Sequence, residues 1–104
     1  MVQKIVWSKE ARQNLLEIKN YIANDSLFYA EKLVKGITGK VKVLRDHPEI
    51  GKIVLHTDKA TFRRLLYKSY CIIYILQKSS VYIVTVYHQS RQLPEDLKDI
   101  NLLK

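Results

Sequence analysis

Residues 61–87 limit the possible folds of this chain more than any other stretch. They hold three strand-like runs in close succession: TFRRLLYK (61–68), YCIIYILQ (70–77) and VYIVTVY (81–87). β-Branched and aromatic side chains at this density favour strands. Only Ser69 separates the first two runs, so their turn must use some of their own ends. Lys78-Ser79-Ser80 separates the last two. Gaps this short suit hairpins and antiparallel pairing. The last two runs are almost wholly apolar, as in central strands covered on both faces.

The preceding sequence supplies the cover. VQKIVW (2–7) reads as a further strand. Ser8 then caps a helix with Glu10 in its first turn, where the helix dipole favours an acid. Ala11, Leu15, Ile18 and Ile22 recur at helical spacing. Asn24-Asp25-Ser26 breaks that helix and caps a second, predicted over residues 27–46. Its apolar stripe is Ala30, Leu33, Ile37, Val41 and Leu44. Gly36 and Gly39 weaken it by about 1 kcal/mol each relative to alanine and leave room for the first helix to approach closely. His47-Pro48 ends it, because a residue before proline avoids the α region. A turn at 48–51, a short strand at 52–56 and a polar loop at 57–60 lead into the three runs. The order is strand, two helices, then three or four strands. Segregated helices and strands define an α+β class with a mostly antiparallel sheet, the helical hairpin covering one face. The length, 104 residues, suits one domain over residues 1–104. In the tail, 92–104, Pro94-Glu95-Asp96 reads as a short helix start that orders against a partner.

Charge is unevenly placed. The chain carries a net +8, and ten basic but only three acidic residues lie between Lys40 and Arg91. Such a field attracts nucleic acid or an acidic protein partner. Neither a signal peptide nor an apolar run of membrane-spanning length is visible, so a cytoplasmic location is expected and no membrane partner. Cys71 is the one cysteine. It allows no internal disulfide and reads as a buried, inert thiol among isoleucines.

Chemistry-bearing motifs are sparse. There is no glycine-rich phosphate loop, and His47, His56 and His88 are too scattered for a zinc site. No metal and no cofactor are expected. What remains is a basic, aromatic cluster on the sheet. Arg63 and Arg64 are adjacent in a strand and must point to opposite faces. One sits under the helices or pairs across strands, and the other faces solvent. Lys52, Lys59, Lys68 and Arg91 extend the positive surface. Tyr70, Tyr74, Tyr82 and Tyr87 either stack on a base or a protein partner, or pack in the sheet with hydroxyls at its rim. VYHQSRQ (86–92) keeps two readings. His88 is a general acid or base, with Arg91 and Arg64 stabilising a phosphorane, or it marks the polar end of a strand in a binding protein.

Four pieces of the sequence, in order, carry a family resemblance: IVWSKEARQNLLEIKNYI, LRDHPEIGK, RRLLYKSYCIIY and VYHQSR. Together they resemble the RelE/ParE superfamily of toxins from bacterial type II toxin–antitoxin systems. The resemblance implies a β-α-α-β-β-β fold and a cytoplasmic toxin neutralised by an antitoxin encoded beside it. RelE-like members cut mRNA on the ribosome, whereas ParE-like members block DNA gyrase. RelE- and YoeB-like nucleases carry an arginine directly after the strand tyrosine, where this chain has Cys71. YoeB-like proteins place a tyrosine straight after the histidine, where this chain has Gln89. Losing such groups removes several kcal/mol, to order of magnitude, of transition-state stabilisation. The resemblance therefore favours the ParE-like branch: gyrase inhibition by protein contact, without catalysis. Lys52, Arg63, Arg64, Lys68, Tyr87, His88 and Arg91 are then the candidate contact residues. The alternative is a ribosome-dependent endoribonuclease using His88, Arg91 and Arg64, with ribosome and mRNA as partners.

Overall fold

The computed structural model describes residues 2 and 4–90. The elements run β1 (Lys4–Trp7), α1 (Lys9–Ala23), α2 (Leu27–Lys42), a 3-10 turn (Val43–Arg45), β2 (Lys52–His56), β3 (Thr61–Tyr67), β4 (Tyr70–Gln77) and β5 (Ser80–His88). The strands form one sheet in the order β1-β5-β4-β3-β2. β1 joins β5 in parallel, and every other pair is antiparallel. The α+β architecture expected from the sequence is the one observed.

Both helices start where the caps predict. The Ser8 hydroxyl accepts from the Ala11 N–H at 3.0 Å, and the Ser26 hydroxyl from the Tyr29 N–H at 3.1 Å. Each satisfies a helix N–H that has no carbonyl partner within its own helix. The second helix is shorter than expected. Its α-helical part ends at Lys42, and Val43–Arg45 tightens into the 3-10 turn before Pro48. The first strand also starts later than residue 2, at Lys4, although Val2 is buried.

The apolar stripes meet the sheet as expected. Ala11, Ile37, Val41 and Leu44 form one cluster with Leu65, Ile72, Tyr74, Val81, Ile83 and Val86. This is the helix-bearing face. Phe62, Ile73, Ile75 and Val84 form a second cluster on the opposite face, with Val54, Leu55, Ala60, Tyr82 and Tyr87 against it. Gly36 serves the sheet and not the first helix. A Cβ there would collide with the Tyr67 ring, whereas Gly39 has open space around it. Helix α2 thus lies close over β3 because Gly36 lacks a side chain.

Two turns close the strand runs. Lys78 and Ser79 both adopt positive φ, 48° and 65°, the backbone that matches a two-residue hairpin to strand twist. Lys68, with φ 52°, begins the turn between β3 and β4. Among the described residues, no helix is long and apolar enough to cross a membrane.

Candidate functional site

Register decides which face each candidate residue occupies. Lys52 pairs with Arg64, and Arg64 with Ile73, a member of the cluster opposite the helices. Cys71 pairs with both Leu66 and Tyr87, and Tyr87 packs against that same cluster. Lys52, Arg64, Leu66, Cys71 and Tyr87 therefore share the helix-free face. His88 pairs with Tyr70, which packs with the helix-side core. The His88 and Tyr70 rings meet edge to face, with centroids 5.3 Å apart. His88 and Arg64, offered by the sequence as members of one catalytic group, stand on opposite faces of the sheet. Arg91 lies outside the described residues.

On the helix-free face Arg64 is the distinctive group. Its Nε is buried and has no hydrogen-bond partner. An unsatisfied buried donor costs about 1–3 kcal/mol. Tyr87 lies near Arg64. Burial, and secondarily the charge and hydrogen bond of Cys71, push the Tyr87 hydroxyl above its ordinary pKa, while the Arg64 charge opposes them. Tyr87 is accordingly a neutral hydroxyl at physiological pH. Cys71 is buried, as expected for an inert thiol. Leu66 is 44% exposed, an apolar contact beside the arginine.

Arg63 has a different task. It pairs with Tyr74, on the helix-bearing side. Its guanidinium donates to the carbonyls of Glu49 and Gly51 at 3.1 and 2.8 Å. Tyr74 anchors the same loop. Its hydroxyl donates to the Pro48 carbonyl at 2.8 Å and accepts from the Gly51 N–H at 2.9 Å. A Cβ on Gly51 would lie 2.6 Å from that hydroxyl. Tyr74 is fully buried, so it neither stacks on a partner nor carries its hydroxyl at a rim. Burial raises its pKa, against the Gly51 hydrogen bond, which acts to lower it.

His88 belongs to a cleft between α1 and the ends of β4 and β5. Asn14, Glu17, Ile18, Tyr21 and Tyr70 line it with His88, around about 580 Å³. The Ser90 N–H donates to His88 Nδ1 at 3.1 Å, with the Ser90 hydroxyl 2.8 Å away. A donor aimed at Nδ1 engages that lone pair and leaves the ring proton on Nε2. In this arrangement the imidazole presents a donor, whereas a general base needs a free lone pair.

The remaining cations lie at the sheet margins. Lys68 is exposed in the β3–β4 turn, with Nζ 5.7 Å from the Tyr67 ring centroid. Lys52 is exposed on β2 and Lys59 in the loop after it. Tyr82 is half-buried against the helix-free cluster. Among the described residues no group of three histidines, cysteines or carboxylates could hold a metal ion. Asn14 escaped the sequence reading. Its Oδ1 accepts from the Thr85 hydroxyl at 2.8 Å and the Val86 N–H at 3.0 Å. The available signal was an amide beside the Ala11, Leu15 and Ile18 stripe.

Comparisons with known proteins bear on the family and the fold. A family model described as the ParE toxin of the type II toxin–antitoxin system parDE matches residues 5–93. The fold is similar to a solved structure of the chromosomal ParDE toxin–antitoxin system from P. aeruginosa, with a TM-score of 0.67 and 18% identity. That match covers 85% of this chain and 96% of the other. No curated protein matches the sequence.

Proposed function

The chain belongs to the ParE toxin family of type II toxin–antitoxin systems, and from that premise we propose that it inhibits DNA gyrase by protein contact and is silenced by a cognate antitoxin. The observation that carries the reading is the division of His88 from Arg64 by the sheet. Phosphoryl-transfer chemistry on RNA needs an acid or base and charge-stabilising cations around one phosphate. Here the histidine lies in the α1 cleft, while the arginine lies on the other face beside the buried thiol of Cys71. That separation supports contact over catalysis.

The helix-free face suits such contact. Arg64 offers an unpartnered donor, Tyr87 a neutral hydroxyl and Leu66 an exposed apolar surface, with Lys52 at the margin. A carboxylate from the partner would pair with the Arg64 guanidinium. The antitoxin is proposed to carry an acidic segment, ordered on binding, that neutralises the positive surface of a cytoplasmic toxin. The test is gyrase supercoiling with the purified chain, alone and after addition of its antitoxin. Inhibition with linearised DNA, reversed by the antitoxin, is the expected result. An inert response from gyrase together with cleavage of ribosome-bound mRNA would overturn the reading.

A further inference from the structure

Strand β5 changes the face of its side chains partway along its length. Helix-side positions run Val81, Ile83, Val86 and then His88. The step from Ile83 to Val86 is three residues, where a regular strand steps by two. The cause is a bulge: Ile83 pairs with Tyr74 and Thr85 with Ile73, so Val84 has no counterpart on β4. An extra residue shifts every later side chain to the opposite face.

The outer edge of β5 explains how the bulge is held. β1 ends at Trp7, opposite Ile83, and α1 follows it. The Ser8 N–H donates to the Ile83 carbonyl at 3.0 Å, and its hydroxyl to the Val84 carbonyl at 2.9 Å. Asn14 continues the series as acceptor for Val86 N–H and the Thr85 hydroxyl. One amide oxygen, with two lone pairs, thus stands in for the missing strand.

We propose that Asn14 is a positioning residue: it holds the Val84 bulge and so delivers His88 to the α1 cleft and Tyr87 to the face of Arg64. The inference goes beyond the proposed function, because it holds whichever target the toxin acts on. With strict alternation after Ile83, Tyr87 would turn toward the helices. His88 would then stand on the face of Arg64 and Cys71. The bulge therefore separates two surfaces that an unbulged strand would merge.

The test is solution NMR of the full chain, reading Val86 amide exchange and the contact between the His88 and Tyr70 rings. Asn14→Asp keeps the accepting oxygen, and it is expected to preserve both signals. Asn14→Leu removes the acceptor. It is expected to speed Val86 exchange by about tenfold or more and to lose the ring contact, while Ile73 stays protected. A third variant deletes Val84: alternation from Ile83 then runs without the extra residue, so His88 stays on the helix side and its ring is expected to remain against Tyr70. Wild-type signals in Asn14→Leu, or loss of both in Asn14→Asp, would overturn the proposal. Should Asn14→Leu fail to fold, the other two variants decide it. Loss of the His88–Tyr70 contact after deletion of Val84 would also overturn it.

Discussion

On the helix-bearing side of the sheet Arg63 donates to two loop carbonyls, whereas on the opposite side its neighbour Arg64 leaves Nε buried without an acceptor. The two residues share a type, a strand and a charge. They differ in what surrounds them. Arg63 helps fix the loop before β2, where Tyr74 and Gly51 complete the anchor. Arg64 holds donor capacity that the described residues do not use. Net charge alone therefore overstates the cationic surface open to a partner. The comparison of faces predicts which substitutions damage the fold and which damage contact.

The largest contrast should come from two aliphatic truncations. Ile72→Ala, in the helix-side core, is expected to cost about 2–5 kcal/mol in urea denaturation. Leu66→Ala, on the exposed helix-free side, should cost less than about 1 kcal/mol while weakening gyrase inhibition. Equal destabilisation by both would break the division between architecture and contact.

Tyr74→Phe comes next. It strands the Gly51 N–H and the Pro48 carbonyl, at a cost of about 1–3 kcal/mol. The alkaline response also follows. The folded-state pKa of Tyr74 is raised by burial, so the folded chain retains that proton longer than the unfolded chain. The associated stability is whole below the ordinary tyrosine value near 10 and is lost as pH rises above it. Denaturation curves above about pH 10 should therefore fall less steeply in Tyr74→Phe. A residual fall is expected, because the pKa of Tyr87 is raised in the same direction.

The arginine pair gives the sharpest comparison at smaller energies. Arg63→Ala should destabilise by about 1–2 kcal/mol through the lost carbonyl bonds. Arg64→Met removes an unsatisfied donor but keeps an apolar stem, so stability should change by less than about 0.5 kcal/mol or rise. Thermal melts of the two variants measure the difference. A larger loss at Arg64 would mean that its guanidinium supports the fold.

Much of this arrangement could be read from the chain. Ser8 and Ser26 announce their helices, and the stripes at Ala11–Leu15–Ile18 and Ala30–Ile37–Val41–Leu44 name the buried faces. The three strand runs leave little freedom in their pairing. The face of His88 was not legible. VYIVTVY is apolar at nearly every position, so alternation gives no marker of an inserted residue. The residues just after the bulge, Thr85 and Val86, bond to Asn14, more than seventy positions away. Nor could spacing reveal that Tyr74 meets Pro48 and Gly51, because that contact exists only once β4 lies beside the loop. Adjacent positions did assign Arg63 and Arg64 to opposite faces. They could not say which one the loop would use.

The most direct measurement is a gyrase supercoiling titration of the wild-type chain beside Arg64→Glu and His88→Ala, with folding of each checked by circular dichroism. The account predicts inhibition by the wild type, near-wild-type inhibition by His88→Ala and at least about a tenfold loss for Arg64→Glu, as expected when a contact arginine is reversed in charge. Intact inhibition by a folded Arg64→Glu would contradict the assignment of the helix-free face. A wild-type chain that spares gyrase and cuts ribosome-bound mRNA, with cleavage abolished in His88→Ala, would contradict the account as a whole.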